Sequence, residues 1–290
     1  MSSGPGNLAA SIHQRLLNLA QKNDENFQQL LVRYALERLL YRLAQSPHAR
    51  SFVLKGALLF RLWFDLEQRP TRDADFLGFG EADPAHLATV FREIVSVDVG
   101  AANDGLAFDA ASVRAETIRK EAGYPGVRVE MQASLGKARI RVQCDVGFGD
   151  VVTPAPTQQA YPTMLDLPPP VLAVYPLETV VAEKLDAMVK LAGFNSRMKD
   201  YFDLWTLMRY DKLDQSLLPA AIRATFARRE TALPETLPAG LSTEFAKSKQ
   251  AMWQAFLTRS ELSAPPLAEV VHELETYYWP LLKAAAPPRA

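Results

Sequence analysis

Asp73 and Asp75 flank a single alanine in the run Arg72 to Gly78 (RDADFLG). Residues two apart on a strand point to the same face. If the run is a strand, the two carboxylates project side by side while Ala74 and Phe76 face the core. Adjacent carboxylates repel each other. A hard divalent ion such as Mg2+, which binds one or two carboxylates together with nucleotide phosphates, relieves that repulsion. A third acid, Asp145, lies far downstream and could complete a set that holds two ions. Taken alone, a D-x-D pair also ends strands at surfaces, and it occurs in metal-dependent glycosyltransferases.

Two further groups of residues could serve the same chemistry. Lys55-Gly56-Ala57 precedes an apolar run (ALLFRLWF). A glycine lets backbone approach a phosphate, and the N–H groups at a helix start attract anions. Glu183-Lys184 is followed by Arg197, Lys199, Asp200 and Asp203. On a helix Lys199 and Asp203 are i, i+4 neighbours, so Asp203 could direct Lys199 toward a phosphate. The same spacing also describes a solvated surface pair, but Tyr201, Phe202, Leu204 and Trp205 crowd the helix with apolar surface.

The elements that must position these groups can be read from periodicity. Leu8 to Ala44 reads as two helices, the second capped by Asp24. Phe52 to Leu54 is a short apolar strand, after which Gly56 opens a helix. Asp83-Pro84 starts another helix, running to about Val97, with proline at its first position. Between Gly105 and Phe148 the period changes to two. Val127, Val129 and Met131 alternate with Arg128 and Glu130. Ala138, Ile140, Val142 and Cys144 alternate with Lys137, Arg139, Arg141, Gln143 and Asp145. Asp145 thus ends a mostly basic strand face. The first half reads as a mixed α/β layer with antiparallel strands. A proline-rich stretch, Thr153 to Pro170, marks a boundary, giving expected domains of 1–170 and 171–290. Beyond it the chain reads helical. One helix starts at Pro176 and ends at Gly193, and the next is capped by Asn195 or Ser196. Others fit about 214–229, 242–259 and 266–284.

At 290 residues the chain can bury a sizeable core and is expected to hold two domains. Its net charge of −1 means that any nucleic-acid partner is held by a local patch, not by the global field. The single cysteine, Cys144, excludes an internal disulfide framework and fits a reducing cytoplasm. No apolar run reaches membrane-spanning length, and the start MSSGPGN does not read as a signal peptide, so no membrane partner is expected. Four scattered histidines and one cysteine argue against a zinc site.

One family carries all of these motifs in the same order. Lys55-Gly56-Ala57, Arg69-Pro70-Thr71-Arg72-Asp73-Ala74-Asp75, Asp145-Val146-Gly147, Glu183-Lys184-Leu185 and Ser196 to Leu204 resemble the AbiEii/AbiGii toxin-type nucleotidyltransferases, which include MenT-like toxins. Order and spacing agree over about residues 50–210, and the R-x-K-D-x-x-D-L run is the most specific element. The resemblance implies an α+β fold, a polymerase-β-like nucleotidyltransferase domain with a mixed sheet plus a helical C-terminal lobe. It implies Mg2+-dependent transfer of NMP from an NTP to the 3′ acceptor end of tRNA, with release of pyrophosphate and a block on translation. It implies a cognate antitoxin protein as partner. By motif position Asp73, Asp75 and Asp145 would be metal ligands and, with Lys184 and Asp203, catalytic. Lys55, Gly56, Ala57, Arg197, Lys199 and Asp200 would bind nucleotide. Thr71 stands where some relatives carry a serine that the antitoxin phosphorylates, so it would be regulatory. The superfamily usually has Gly-Gly or Gly-Ser where this chain has Gly56-Ala57, which removes a hydroxyl but leaves backbone contacts to phosphate.

Residues 114–141 hold seven Lys/Arg (Arg114, Arg119, Lys120, Arg128, Lys137, Arg139, Arg141) against three Glu (Glu116, Glu121, Glu130), a local excess of +4. Such a face could track an RNA backbone, or be solvated surface. A small-molecule or protein acceptor, and a non-catalytic member that binds nucleotide or a partner, stay open as alternatives.

Overall fold

The computed structural model describes residues 5–64, 71–119, 125–210 and 212–286. The chain divides into two compact units. One comprises Met1–Gly149 and Thr157–Val174, the other Asp150–Pro156 and Tyr175–Ala290. The proline-rich stretch is therefore shared between the units.

The first unit is built on a seven-stranded mixed sheet of order β3-β4-β5-β2-β1-β7-β6. The strands are β1 (Phe52–Lys55), β2 (Asp73–Gly78), β3 (Leu106–Arg119), β4 (Pro125–Leu135), β5 (Ala138–Phe148), β6 (Thr157–Ala160) and β7 (Val171–Val174). Strands β3, β4 and β5 pair antiparallel, β5 and β2 parallel, β2 and β1 antiparallel. The expected alternation is observed. Ile140, Val142 and Cys144 are buried while Arg139 and Arg141 are exposed, and Ala74 and Phe76 are buried beside half-buried Asp73 and Asp75.

One sheet face is closed by helices. Helix α1 (Pro5–Asn23) precedes α2 (Phe27–Gln45), which packs on β5; α4 (Pro84–Val95) packs on β3 and β4. Phe52, Phe76 and Phe91 form an edge-to-face cluster with centroids 5.7 to 5.8 Å apart, joining β1, β2 and α4. Asp83 caps α4 as expected, accepting from the N–H groups of Ala85 and His86, and the helix ends at Val95. Helix α2 is capped by Asn26, whose side chain accepts from the Gln29 N–H. The expected cap, Asp24, instead sits in the turn with φ 53°. A Ser/Asp/Asn-type residue caps best one step before the first helical residue, and that place belongs to Asn26. Buried Arg38 and Arg42 both reach Asp104, at 3.2 and 2.5 Å, pinning α2 to the entry of β3.

The second unit holds α5 (Leu177–Leu191), α6 (Met198–Leu207), α7 (Leu218–Arg228), α8 (Thr243–Ser260) and α9 (Leu267–Ala285). Its core includes Trp253, Phe256 and Phe202, whose rings lie 5.7 to 6.4 Å apart. Between α5 and α6, Ala192 adopts the left-handed φ of 47°, so the helix ends one residue before the expected Gly193. Asn195 is fully buried and accepts from the Arg197 N–H at 2.8 Å, setting the chain for α6, whose N-cap is Arg197. Gly240 lies against both helices. A Cβ there would stand 2.8 Å from the Met188 carbonyl oxygen, and its own carbonyl accepts from the Tyr201 hydroxyl at 2.8 Å. No described helix is long and apolar enough to cross a membrane.

Candidate active site

The strand register of the first unit produces a row of charges that the sequence does not display. Lys55 on β1 pairs with Asp75 on β2, Asp75 with Asp145 on β5, and Asp145 with Arg128 on β4. Residues opposite each other on neighbouring strands share a face. Across four strands the order is therefore cation, acid, acid, cation. Asp73 lies two residues before Asp75 on the same face, opposite Gln143. The thiol of Cys144, next to Asp145 in the chain, is buried beneath this row. Burial first, and then the charges of Asp145, Asp73 and Asp75, push it well above its usual range.

Arg128 clasps Asp145 with both arms, Nε to Oδ1 at 2.9 Å and Nη2 to Oδ2 at 2.9 Å. Asp145 is buried, and Arg128 is about one third exposed. The hydrogen bonds that Arg128 donates to Asp145, together with the charges of Asp145 and Asp73, raise the Arg128 pKa, so the guanidinium stays charged. Among the described residues no three acidic, histidine or cysteine side chains stand ready to hold one ion in common. The donor chemistry still fits a hard cation. Asp73 and Asp75 offer carboxylate oxygens on one half-buried face, and Mg2+ bound by one or two carboxylates draws its remaining ligands from water and nucleotide phosphates.

The backbone after β1 is shaped by the same acids. Gly56 has φ 75°, and a Cβ there would lie 2.2 Å from Oδ2 of Asp75. Only glycine lets that carboxylate lie over the turn. A 3-10 turn, Gly56–Leu59, then leads into the short helix α3 (Phe60–Trp63), in place of one longer regular helix. Ala57 is half-buried within that turn. The Thr71 hydroxyl donates to Oδ1 of Asp73 at 2.9 Å. Arg69 and Pro70 of the motif lie outside the described residues.

In the second unit Lys184 on α5 donates to Asp200 at 2.9 Å and to Asp203 at 2.7 Å, both on α6. Asp200 and Asp203 are 1% and 0% exposed. Burial pushes Asp200 up, but Lys184 and then Arg197 outweigh it and hold its carboxyl well below the usual range. The Arg197 Nε sits 2.6 Å from Oδ2 of Asp200 as an ion pair, although its N–H is not aimed as a hydrogen bond requires. The expected partnership of Asp203 with Lys199 gives way to one with Lys184. Lys199 is exposed and forms no ion pair with a described residue. Both acids are buried, so what this cluster presents toward solvent is the cations that Asp200 and Asp203 hold. Glu183 faces the other way, 3.1 Å from Arg229, which Asp150 and Asp186 also bind.

The basic strand face is thinner than its composition suggests. Arg128 is taken by Asp145 and Arg141 by Glu130. Lys137 and Arg139 are exposed. Lys120 and Glu121 lie outside the described residues. Sequence reasoning placed Arg128 on the correct face but missed its partner. The signal available was alternation in both strands, which becomes decisive only once their register is known.

A mixed sheet that sets paired carboxylates side by side on one face suits metal-assisted phosphate chemistry. Residues 38–279 match the family model described as nucleotidyl transferase AbiEii toxin, type IV toxin–antitoxin system, and the chain belongs to that family. Among solved structures it is similar to a candidate nucleotidyltransferase from Helicobacter pylori, with 16% identity, a TM-score of 0.48, and 90% of this chain and 97% of that one covered. It is similar also to JHP933 from Helicobacter pylori, with 16% identity, a TM-score of 0.49, and 90% and 94% covered. No curated protein matches the chain.

Proposed function

We propose that the protein is a cytoplasmic, Mg2+-dependent toxin enzyme that transfers NMP from an NTP to the 3′ acceptor end of tRNA and so blocks translation. The observation that carries this reading is the side-by-side display of Asp73 and Asp75, with Asp145 in register beside Asp75, in a chain of a nucleotidyltransferase family. Asp73 and Asp75 would hold the divalent ion, with Asp145 as the third carboxylate of the site. When bound, such an ion neutralises phosphate charge and lowers the cost of ionising the attacking hydroxyl.

In the transfer, the acceptor oxygen bonds to the α-phosphorus as the bond to the bridging oxygen breaks and pyrophosphate departs. Lys55, Gly56 and Ala57 offer backbone to the phosphates. Lys184, held by Asp200 and Asp203, the half-buried Arg197 and the exposed Lys199 offer cations. A cognate antitoxin fits control through Thr71. A phosphate on a hydroxyl already 2.9 Å from the Asp73 carboxylate would add roughly −1.5 to −2 charges beside the metal acids.

The pairing of Arg128 and Arg141 with acids leaves fewer cations for an RNA backbone. That observation favours, as a second reading, transfer to a small molecule or a protein side chain. Incubation with each α-labelled NTP, total tRNA and Mg2+ separates the two. Label in tRNA that survives protease supports the first, whereas label only in small molecules or protein overturns it.

A further inference from the structure

The metal acids are not equivalent. Asp73 and Asp75 share a half-buried strand face, whereas both oxygens of Asp145 are engaged by one guanidinium at 2.9 Å. The contact is built into the sheet, because Arg128 and Asp145 are direct cross-strand partners in the β4–β5 ladder. Bidentate arginine–carboxylate pairs are the strongest of the side-chain ion pairs, and they set geometry as well as charge. Gln143 adds a longer contact, Nε2 to Oδ1 at 3.5 Å. At the other end of the row, Lys55 stands opposite Asp75.

We infer that Arg128 is a positioning residue that competes with the divalent ion for Asp145, making metal binding conditional on nucleotide. The reasoning is electrostatic. Asp145 stands in register beside Asp75, so without a partner its charge would add to the pull of Asp73 and Asp75 on a divalent cation even in the absence of substrate. A fixed guanidinium on the third acid neutralises one charge and opposes the incoming ion through space. The two remaining acids supply few ligands, so an ion completes its shell by arriving with the oxygens of a triphosphate. The inference rests on the metal role proposed above for Asp73 and Asp75.

The test is Mn2+ binding, followed by electron paramagnetic resonance or calorimetry on the full chain without nucleotide. Arg128→Gln should bind Mn2+ ~10-fold or more tightly than the wild type, and Arg128→Lys, which keeps charge but loses the two-point clasp, should fall between. A non-hydrolysable NTP analogue should narrow the gap, because phosphate oxygens then dominate the shell. Adding Asp145→Asn to Arg128→Gln should remove most of the gain. Equal Mn2+ affinity in the wild type and Arg128→Gln overturns the inference, as does a gain that survives Asp145→Asn. If the glutamine variant does not fold, the lysine variant alone decides: affinity no higher than the wild type overturns it. Failure of the metal role itself has a different signature. Asp73→Asn and Asp75→Asn would then leave Mn2+ binding unchanged in the Arg128→Gln background.

Discussion

The two charged clusters are opposite in arrangement and in exposure. In the sheet, two acids, Asp75 and Asp145, stand between two cations, Lys55 and Arg128. In the helical unit, one cation, Lys184, stands between two acids, Asp200 and Asp203. The sheet cluster lies partly open: Asp73 and Asp75 are half-buried, and only Asp145 among its acids is buried. The helical acids are almost wholly buried, and releasing Lys184 would strand charge in a low-dielectric interior. On the metal role proposed above, the charges that change partner are kept near solvent, and those that stay in place are clamped from beneath.

Removal of a sheet acid should produce the largest loss. Asp73→Asn and Asp75→Asn are each expected to lower transfer by ~10³-fold or more. Thermal unfolding should show little change in stability, because each substitution also relieves repulsion within the pair. A variant with full activity, or full activity of the wild type in excess chelator, would break the assignment of this cluster to metal.

Lys184→Ala should behave differently. Transfer is expected to fall by ~10²-fold, and stability should fall with it, by roughly 3 kcal/mol, because Asp200 and Asp203 lose their shared partner while buried. Denaturant unfolding alongside the labelled-NTP assay reads both. A stable Lys184→Ala protein would show that the clamp is weaker than its geometry implies.

Acid should separate the clusters further. The Asp200 carboxyl is held below its ordinary value of 3.8 in the folded protein. A depressed folded pKa gives stability that is present above the unfolded value and lost as pH falls through the folded one. Asp200→Asn should therefore flatten the loss of stability below about pH 4, an effect of roughly 1–3 kcal/mol. If melting curves of the variant and the wild type stay parallel down to pH 2, the Lys184 clamp does not set that carboxyl.

The smallest expected effect lies on the strand face beyond Asp145. Charge reversal at Lys137 and Arg139 should weaken tRNA binding several-fold and reduce its salt dependence, leaving NTP binding unchanged. Unchanged tRNA affinity would favour the small-molecule or protein acceptor.

Much of each cluster could be read from the chain itself, and what could not has a common cause. Alternation placed Asp73, Asp75, Asp145 and Arg128 on polar strand faces, because period two follows from backbone geometry alone. It did not reveal that Arg128 meets Asp145, since partner choice depends on the register between strands. Lys184 and its acids lie 16 and 19 residues apart. The local i, i+4 rule therefore pointed Asp203 at Lys199, whereas packing of α5 against α6 gave it Lys184. The cap of α2 moved from Asp24 to Asn26 for a similar reason: the turn before the helix is set by chain reversal after α1, not by residue type alone.

Gly56 carries a genetic consequence. Every amino acid other than glycine that one base change at a glycine codon can reach has a Cβ, and at this position that carbon would fall 2.2 Å from the Asp75 carboxylate. Cells selected to survive expression of the toxin should accordingly yield full-length escape alleles at codon 56 about as readily as at codons 73 and 75. A survivor map would then place a residue with no side chain among the ionisable ones, marking it as essential for the room it leaves and not for any group it supplies.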